Sequence, residues 1–460
     1  MEDFLTGKKH VHFIGIGGSG MYPLAQILHS QGFYLTGSDN NETETLDLVR
    51  KMGIPVFLGQ RAENIEGADL IVHTAAIMND NPELIAARES GVPVVERSVL
   101  LGLITGFYNN SVCVSGTHGK TTVTSMITQI LVEKGLDISA VIGGKLPVIN
   151  GSGRAGKSDI MVCEACEFQD HFLNLSVDTA VILNVDEDHL DYFKNLDNII
   201  KSFHKFCENT TKTIIINGDD ENSMKAVEGI TDKEIITFGF NKKNEYYADN
   251  IELKGLVTEF DAYHNGEALG KVTLNVAGKH NALNALAAIA AAESLGVPLE
   301  DIKKGLSGFR GAGRRFEKYG FVKGITVVDD YAHHPAEIAV TLSSAVKLGY
   351  KKVWAVHQPF TFSRTSLLLD DFAEVLSIAD KVVLTEIMGS REKNTYNVYS
   401  KDLGDKIEGA VCVETCDDAA EYVAENAEEG DLVITLGCGD VYKAAYRLIE
   451  LLGGKPGHFC

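Results

Sequence analysis

Apolar and polar positions alternate in two patterns almost from one end of the chain to the other. Short apolar runs such as HVHFIGIGG, SVCVSG and ITVVDDYA have the length of buried strands, and a stretch of helical period follows each of them. Strands that alternate with helices in this way are typical of parallel sheets covered by helices. The pattern therefore predicts an α/β fold for most of the chain.

The order of these elements predicts three domains. A Rossmann-like N-terminal domain spans residues 1–108, and a central domain spans residues 109–312. Within the central domain, residues 246–276 alternate polar and apolar positions, which predicts a small antiparallel region. The stretch NALNALAAIAAAESLG has no charge before Glu293 and predicts a helix packed on both sides. A second Rossmann-like domain spans residues 313–460.

The length, composition and net charge of the chain exclude several classes of protein. The 460 residues, 45% of them hydrophobic, are enough for several domains with large cores. A formal net charge of -22 argues against sequence-independent nucleic-acid binding and against docking on anionic lipid. No segment reads as a signal peptide, and no run approaches the ~20 apolar residues of a membrane span. We expect a cytoplasmic protein.

The cysteine pattern indicates neither a disulfide scaffold nor a zinc site. Eight cysteines are few for 460 residues. Cys163 and Cys166 form a C-x-x-C pair, but a zinc or redox site needs a partner pair or a thioredoxin-like context. The surrounding sequence DIMVCEACEF favours a buried strand instead.

A first glycine-rich loop lies near the N-terminus. Gly15, Gly17 and Gly20 form G-x-G-x-x-G after an apolar strand, and Asp39 stands where a ribose-binding acid is expected. The glycines allow a close approach of the backbone to a ligand. The pattern does not choose among NAD, FAD and another diphosphate, and simple strand–helix packing is the structural alternative.

A second loop, GTHGKTT, predicts phosphate binding. A glycine-rich turn that runs into a helix presents backbone N–H groups and the positive helix end to phosphate. Lys120 would reach the β and γ phosphates, and Thr121 or Thr122 would contact Mg²⁺. Val114 stands where the common pattern has its first glycine, so a tight strand-to-helix turn is the alternative.

Acids and a histidine follow the next two predicted strands. Glu164 and Glu167 end the stretch CEACE, and His189 lies in NVDEDHLDYF. The carboxyl ends of neighbouring parallel strands face the ligand crevice of an open sheet, so these residues could hold Mg²⁺. Mg²⁺ prefers oxygen, and a loop histidine bonded to a carboxylate is an equal alternative.

Further candidates follow in the sequence GKHNALNA. Asn281 stands at a predicted helix start, where it would cap the helix, and Asn284 lies one turn on. Either amide would also suit a base edge.

The last predicted domain has candidates at its start. Arg314 and Arg315 are either solvated or a phosphate clamp. His333 and His334 lack a spaced third ligand for zinc, and Asp330 suits a ribose hydroxyl.

Taken together, the motifs carry a resemblance. The order GIGGSGM, GTHGKTT, CEACE, NVDEDHLDYF, GKHNALNA, GRRFE, DDYAHHP and SRT resembles the Mur ligase family of peptidoglycan synthesis, most closely its alanine-adding members. The resemblance runs from residue 11 to about residue 443. It implies a UDP-sugar domain, a central P-loop ATPase domain, and a C-terminal domain that meets ATP and the amino acid.

The implied reaction joins L-alanine to the carboxylate of UDP-N-acetylmuramate. The carboxylate attacks the γ phosphate of ATP, and the amine then attacks the acyl phosphate, with Mg²⁺ as cofactor. The implied catalytic residues are Lys120, His189 and Arg315. The implied metal ligands are Thr121, Glu167 and His189. We expect no nucleic-acid partner, no membrane span, and a monomer or weak homodimer.

The resemblance also assigns binding residues. The UDP-sugar would contact Gly15, Gly17, Gly18, Ser19, Gly20, Asp39 and Thr74. ATP would contact Gly116, Thr117, His118, Gly119, Lys120, Thr121, Thr122, Asn281, Asn284, Arg315 and Asp330. The amino acid would contact Tyr331, His333, His334 and Arg364.

The chain departs from the family pattern in two places. Cys166, Phe168 and Gln169 replace an acid, a serine and an acid beside Glu167, and Phe360 and Thr361 replace a His-Arg pair before SRT. A related ligase that adds another amino acid or recycles a murein tripeptide is therefore an alternative. A non-catalytic UDP-sugar sensor and an ATP-binding dehydrogenase are alternatives of other classes.

Overall fold

The computed structural model describes residues 4–74, 77–389 and 392–455. In these residues strands and helices alternate, which confirms the predicted α/β class. The chain forms two compact units. The first holds the residues up to Leu253 together with Val257–Asn275 and Lys279–Phe309, and the second holds Lys254–Leu256, Val276–Gly278 and the residues from Arg310 onward. The predicted boundary after residue 108 lies inside the first unit, and the two boundaries between the three predicted domains stay predictions.

The first sheet is parallel throughout, in the order β3-β2-β1-β4-β5. Its strands are β1 (His10–Ile14), β2 (Tyr34–Asp39), β3 (Val56–Leu58), β4 (Leu70–His73) and β5 (Val94–Glu96). Its helices are α1 (Tyr22–Ser30), α2 (Glu44–Lys51), α3 (Pro82–Glu89) and α4 (Arg97–Thr105), with a 3-10 turn at Ala62–Ile65. The apolar pattern predicts four of these strands but misses β3, which is short and mostly exposed.

The second sheet has the order β15-β14-β13-β12-β11-β10-β6-β9-β7-β8. Its strands are β6 (Asn110–Ser115), β7 (Ser139–Leu146), β8 (Gly151–Arg154), β9 (Ile160–Glu164), β10 (Thr179–Ile182), β11 (Thr213–Asn217), β12 (Glu234–Gly239), β13 (Tyr246–Lys254), β14 (Val257–His264) and β15 (Glu267–Leu274). Its α-helices are α5 (Lys120–Glu133), α6 (Leu190–Phe193), α7 (Leu196–Asn209), α8 (Glu221–Ala226), α9 (Lys279–Ser294) and α10 (Leu299–Gly308). Two 3-10 helices lie at Pro147–Ile149 and Phe168–Asn174.

Two expectations about this sheet are confirmed. The strands β14 and β15 pair antiparallel within the region predicted to do so. The alanine-rich helix α9 is buried on nearly every side, from Ala285 to Ala292.

The strands β7 and β8 are missed by the sequence prediction, because β7 has only the short apolar run AVI before two glycines and β8 has no apolar run. They pair antiparallel, and β8 packs on α1. A Cβ added at Gly153 would lie 2.5 Å from the Cβ of Pro23, so this close packing requires glycine.

The third sheet lies in the second unit, in the order β16-β17-β21-β18-β19-β20. Its strands are β16 (Glu317–Val322), β17 (Ile325–Asp330), β18 (Val353–His357), β19 (Lys381–Leu384), β20 (Val411–Cys412) and β21 (Leu432–Leu436). Its helices are α11 (Pro335–Ala345), α12 (Phe362–Leu367), α13 (Leu369–Leu376), α14 (Ser400–Gly404), α15 (Cys416–Asn426) and α16 (Tyr442–Leu451), with a 3-10 turn at Val346–Leu348. The strand β16, which the pattern misses, pairs antiparallel with β17 while the other pairs are parallel.

The topology puts both glycine-rich loops at equivalent places. Strand β1 lies between β2 and β4, and β6 lies between β10 and β9, so each is the strand from which the chain builds its sheet in two directions. In open parallel sheets, ligands bind outside the carboxyl end of such a strand. Both loops begin at that end.

The cysteine prediction agrees with the structure. Cys163 is buried on β9, with its Sγ 3.5 Å from the Sγ of Cys113 on the neighbouring strand β6. Among the described residues, no helix combines the length and the apolar character that a membrane crossing requires.

The contact between α10 and α5 generates a stability prediction. A Cβ at Gly305 would lie 2.6 Å from the Cα of Ile130, whose backbone cannot move aside cheaply. We expect Gly305→Ala to lower the free energy of unfolding by about 1–3 kcal/mol, measured by urea denaturation with circular dichroism.

The matched control is Gly308→Ala on the same helix. There the added Cβ would meet only the end of the Gln129 side chain, at 3.2 Å. Equal stability of the two variants would contradict the prediction.

Candidate active site

The first loop joins β1 to α1 and is anchored by Asp39. Gly15 has φ +85°, a left-handed conformation that favours glycine. The N–H of Gly17 donates to Asp39 Oδ2 at 3.0 Å, and the N–H of Asn41 donates to Oδ1 at 3.2 Å. A Cβ at Gly17 would lie 2.9 Å from Asp39 Oδ2. In the structure, Asp39 therefore holds the loop backbone.

The outer part of this loop faces solvent. Gly18 and Ser19 are exposed, and the N–H groups of Ser19 and Gly20 donate to no group in the described part of the chain. Thr74, after β4, forms a wall beside the loop, since its Cγ2 lies 3.4 Å from the Cβ position of Gly15. The predicted UDP-sugar residues are thus brought together around exposed N–H donors.

The second loop joins β6 to α5, and two of its glycines are required by its shape. Gly116 and Gly119 have φ +136° and +90°. A Cβ at Gly119 would lie 3.0 Å from Asn284 Oδ1, and one at Gly116 would lie 3.0 Å from the Cβ of Leu183. The first-turn N–H groups of α5 lack partners within the helix, so they are available to phosphate.

The turn after β10 fixes this loop. The Asn184 side chain accepts from the N–H of His118 at 2.8 Å and donates to the His118 carbonyl at 3.1 Å. The Thr117 hydroxyl accepts from the N–H of Asp186 at 2.9 Å. The sequence prediction missed Asn184, because one polar residue after a strand carries no signal of its target.

Lys120 and Glu167 form an ion pair at the start of α5. The Lys120 Nζ donates to both Glu167 oxygens, at 3.0 and 2.9 Å, and to the carbonyls of Gly116 and Thr117. Burial opposes the ammonium charge, but the Glu167 carboxylate outweighs it and raises the pKa of Lys120. Lys120 is therefore a fixed cation inside the phosphate loop.

A carboxylate and imidazole cluster lies beside this pair. One ligand atom each of Glu167, Asp188 and His189 lie within 4.8 Å of one another. Two carboxylates and one imidazole are a donor set that suits Mg²⁺ through its oxygens. Glu167 and His189 are brought together as the sequence predicted, while Asp188 was missed among the neighbouring acids of VDEDH.

The other candidates near this cluster take different positions. Glu164 accepts from the N–H of Gly143 at 2.6 Å and lies outside the cluster. Thr121 is buried in the first turn of α5, and Thr122 is half-buried.

The predicted cap at Asn281 is wrong. Helix α9 begins at Lys279, two residues earlier, so Asn281 lies inside the first turn and is buried. Asn284 donates to Asn281 Oδ1 at 3.2 Å and lies beside Gly119. The pair therefore lies against the second loop, which is the place expected for ATP-binding residues.

In the second unit, Asp330 ends β17, and its carboxylate accepts hydrogen bonds from the backbone of two neighbouring segments. Its Oδ2 accepts from the N–H of Phe316 at 2.7 Å, and its Oδ1 accepts from the N–H of Ala332 at 2.8 Å. Burial raises the pKa of Asp330 to about 6, although Arg315 and these two bonds oppose the rise.

The two neighbouring arginines have different roles. Arg314 is locked by Asp329 through an Nε–Oδ2 bond of 2.7 Å and by the carbonyls of Gly437 and Gly439, so it braces the fold. Arg315 lies with its guanidinium 5.5 Å from the centroid of the Tyr331 ring. Arg314 and Arg315 were both predicted to bind phosphate. Of the two, Arg315 is the one whose guanidinium is not held by an aspartate and backbone carbonyls.

The segment after β17 is built around a helix start. His334 caps α11 by accepting from the N–H of Ala336 through Nδ1 at 3.4 Å. Glu337 Oε2 lies 3.2 Å from His333 Nδ1. Burial opposes ionisation of Glu337, but its bonds to His333 prevail and lower its pKa. Tyr331 is partly exposed beside them.

The departures before Arg364 form an ordinary helix start. Thr361 caps α12, and its hydroxyl accepts from the N–H of Arg364 at 3.4 Å. Phe360 and Arg364 are half-buried. The structure thus puts Arg364 in the first turn of α12 and gives Thr361 a backbone role.

Three family models match the chain along most of its length. They are described as the Mur ligase family catalytic domain over residues 10–108, the Mur ligase middle domain over 114–292, and the Mur ligase glutamate ligase domain over 314–439.

Individual proteins match the chain from end to end. A UDP-N-acetylmuramate–L-alanine ligase of Caldanaerobacter subterraneus subsp. tengcongensis is 45% identical over 98% of this chain and 99% of its own length. A crystal structure of UDP-N-acetylmuramate-alanine ligase from Thermotoga maritima superposes with TM-score 0.82, at 30% identity, covering 96% of this chain and 98% of that one. A murein peptide ligase structure from Psychrobacter arcticus superposes with TM-score 0.74, at 25% identity, covering 98% and 100%.

A buried histidine at the end of β18 generates a pH prediction. His357 donates through Nδ1 to the Leu436 carbonyl at 3.0 Å, and burial lowers its pKa to about 4 from an ordinary 6.5. The unfolded chain therefore takes up a proton at a higher pH than the folded chain does. Stability is full above the ordinary value and is lost as pH falls toward 4, by about 2 kcal/mol at about pH 5.

We expect His357→Phe to remove this loss, because the ring is kept and the titration is abolished. Urea denaturation at neutral and acidic pH, followed by fluorescence of Trp354, the single tryptophan, reports on this unit. His204→Asn in the first unit is the control. A variant as acid-sensitive as the wild type would contradict the assignment.

Proposed function

The chain belongs to the Mur ligase family, and we propose that it uses ATP to join L-alanine to the carboxylate of UDP-N-acetylmuramate. The observation that carries this function is the match to an alanine-adding ligase at 45% identity over nearly the whole of both chains. The chain is accordingly an ATP-dependent, amide-forming ligase of peptidoglycan precursor synthesis. ATP as a substrate supports a cytoplasmic location.

We assign the first loop to the diphosphate of the UDP-sugar. The N–H groups of Ser19 and Gly20 have no acceptor in the described part of the chain and suit phosphate oxygens, and no lysine stands in the loop. A site that only holds a diphosphate needs donors but no group for phosphoryl transfer. Asp39 supports this site by anchoring Gly17.

We assign the second loop to ATP. An oxygen of the UDP-N-acetylmuramate carboxylate attacks the γ phosphorus, ADP leaves, and an acyl phosphate forms. The L-alanine nitrogen then attacks the carbonyl carbon, loses a proton, and expels inorganic phosphate. Such transfers depend mostly on alignment and charge stabilisation, and the fixed ammonium of Lys120 would supply the charge.

Glu167, Asp188 and His189 would hold Mg²⁺, with Thr121 as a further oxygen donor from the loop. When bound, Mg²⁺ neutralises phosphate charge. Asp188 is an addition to the ligands expected from the sequence.

Residues of the second unit complete the assignment. Arg315 and Asp330 are proposed to contact ATP, and Tyr331, His333, His334 and Arg364 to contact L-alanine. Their positions at the carboxyl ends of β17 and β18 support this, because ligands of open sheets bind there.

The first test is phosphate release from ATP in the presence of Mg²⁺. We expect release only when UDP-N-acetylmuramate and L-alanine are both present. L-Serine, glycine and a murein tripeptide are tested in parallel. A preference for the tripeptide would indicate a ligase that recycles murein tripeptide. Binding of the UDP-sugar without any phosphate release would indicate a non-catalytic sensor.

Lys120 provides a test of the division between the two loops. We expect Lys120→Ala to lower kcat by about 10²-fold or more, because the cation in the phosphate loop is lost. Binding of UDP-N-acetylmuramate, measured by titration calorimetry, should stay within about twofold of the wild type.

Lys134→Ala, at the far end of α5, is the matched control. Lys134 pairs with Asp301 on the surface and should tolerate the change. Equal loss of turnover and of UDP-sugar binding in Lys120→Ala would contradict the assignment of the loops.

A further inference from the structure

Three buried polar side chains lie next to the first loop. His12 on β1, Ser38 on β2 and Glu83 on α3 all have 0% of their surface exposed. Acidic side chains are almost never fully buried unless they are paired. The sequence motifs indicate no role for any of the three.

These side chains belong to a continuous chain of hydrogen bonds. His10 Nδ1 lies 2.7 Å from the Gly67 carbonyl oxygen, and His10 Nε2 lies 2.8 Å from Thr36 Oγ1. The same Thr36 hydroxyl lies 2.7 Å from His12 Nδ1. His12 Nε2 lies 2.6 Å from Glu83 Oε1. We call this set the His12–Glu83 network: His10, His12, Thr36, Ser38 and Glu83.

The hydrogen bonds of this network need one proton more than is available when both histidines are neutral and Glu83 is ionised. The four hydrogen bonds from Gly67 to Glu83 need four protons. Two neutral imidazoles bring one each and the Thr36 hydroxyl brings one, which makes three. The fourth proton sits on an imidazole or on the Glu83 carboxyl. With it, the network is electrically neutral.

The network reaches the first loop through Ser38. The Ser38 hydroxyl donates to Glu83 Oε2 at 2.7 Å. The Ser38 carbonyl accepts from the N–H groups of Gly15 and Ile16, at 2.8 and 3.0 Å. Glu83 therefore fixes the residue on which the start of the loop rests.

We propose that His12 and Glu83 are positioning residues for the UDP-sugar, and that the extra proton of their network makes the affinity for that substrate depend on pH. The proposal rests on the assignment of the first loop to the UDP-sugar. Loss of the proton leaves one hydrogen bond unmade and a net negative charge buried beside Ser38. Because both changes are costly in a buried site, the loop relaxes and binds the diphosphate less well.

Other ionisable groups lie on the elements around the network. Asp69 accepts from the N–H groups of His10 and Lys9, and these bonds hold its pKa below the ordinary value. Its titration therefore lies on the acid side. The Tyr34 ring packs on His10 at 4.7 Å. Lys8 and Lys9 precede β1, His73 ends β4, and Arg88 lies on α3.

Glu83→Gln separates the network from these neighbours. The glutamine amide donates to His12 Nε2, and its oxygen accepts from Ser38 Oγ. All four hydrogen bonds then form with neutral side chains and no extra proton. A pH effect from Asp69, Tyr34 or His73 would survive in this variant, whereas an effect from the network would disappear.

The experiment measures KM for each substrate from about pH 6 to about pH 9, with the full chain. For the wild type, we expect KM for UDP-N-acetylmuramate to rise about tenfold on the alkaline side, and for Glu83→Gln we expect it to stay flat. KM for ATP and for L-alanine should follow the same pH dependence in the wild type and in Glu83→Gln, because any titration of these two substrates is common to both proteins. Glu42→Gln, which removes an exposed carboxylate paired with Arg50, is the control that should follow the wild type.

Two variants test the positioning role. We expect His12→Phe and Ser38→Ala each to raise KM for UDP-N-acetylmuramate about tenfold at neutral pH, with kcat and KM for ATP within about twofold. If His12→Phe does not fold, Ser38→Ala carries the test, because it removes only the hydroxyl. An unchanged KM for the UDP-sugar, or an equal rise in both KM values, would overturn the proposal.

A separate readout does not depend on turnover. The imidazole ¹⁵N shifts of His10 and His12 report which ring nitrogens carry a proton, and at neutral pH we expect them to differ between the wild type and Glu83→Gln, because the variant needs one proton fewer for the same four hydrogen bonds. Identical shifts in both proteins would overturn the proton assignment. Absence of phosphate release by the wild type would instead count against the proposed function.

Discussion

A buried carboxylate, Glu167, sets the geometry around the second glycine-rich loop. A buried charge without compensation is strongly destabilising, and Glu167 is compensated by Lys120 at the start of α5. The ion pair therefore ties the end of β9 to the loop after β6. It also leaves Glu167 within reach of Asp188 and His189, so the carboxylate is shared between a fixed cation and a cluster with metal-binding character. This one pair relates the phosphate loop to the proposed Mg²⁺ site.

The two glycine-rich loops occupy the same place in their parallel sheets, and the proposed function gives them different ligands. Each follows a strand from which its sheet is built in both directions. Left-handed backbone occurs at Gly15 in the first turn and at Gly116 and Gly119 in the second. The first loop is held by Asp39 and Ser38, and its outer N–H groups face solvent. The second is held by Asn184 and contains Lys120. A lysine is needed where a phosphoryl group is transferred and is dispensable where a diphosphate is only held.

Sequence reasoning found the loops and most strands because their signals are local. Glycine spacing and apolar runs report directly on turns and buried strands. In contrast, β3 and β7 have only short apolar runs, β8 and β16 have none of strand length, and all four are defined by pairing. Side-chain roles depended on non-local contacts. Asp188 is one of several adjacent acids, and only the fold shows that it meets Glu167. Arg314 and Arg315 are alike in sequence, yet Asp329 locks only the first.

Two of the departures from the family pattern beside Glu167, Phe168 and Gln169, lie in a turn that packing and hydrogen bonds hold in place. Gln169 and Asp170 adopt left-handed backbone, and so does His189 in the facing turn. Such residues persist only when their surroundings hold them, and Asp170 accepts bonds from the hydroxyls of Tyr192 and Ser202. The Phe168 ring packs against the His189 ring with centroids 4.7 Å apart. An aromatic contact therefore orients the imidazole where polar residues are expected, and Glu167 keeps its position because the turn after it is fixed from both sides.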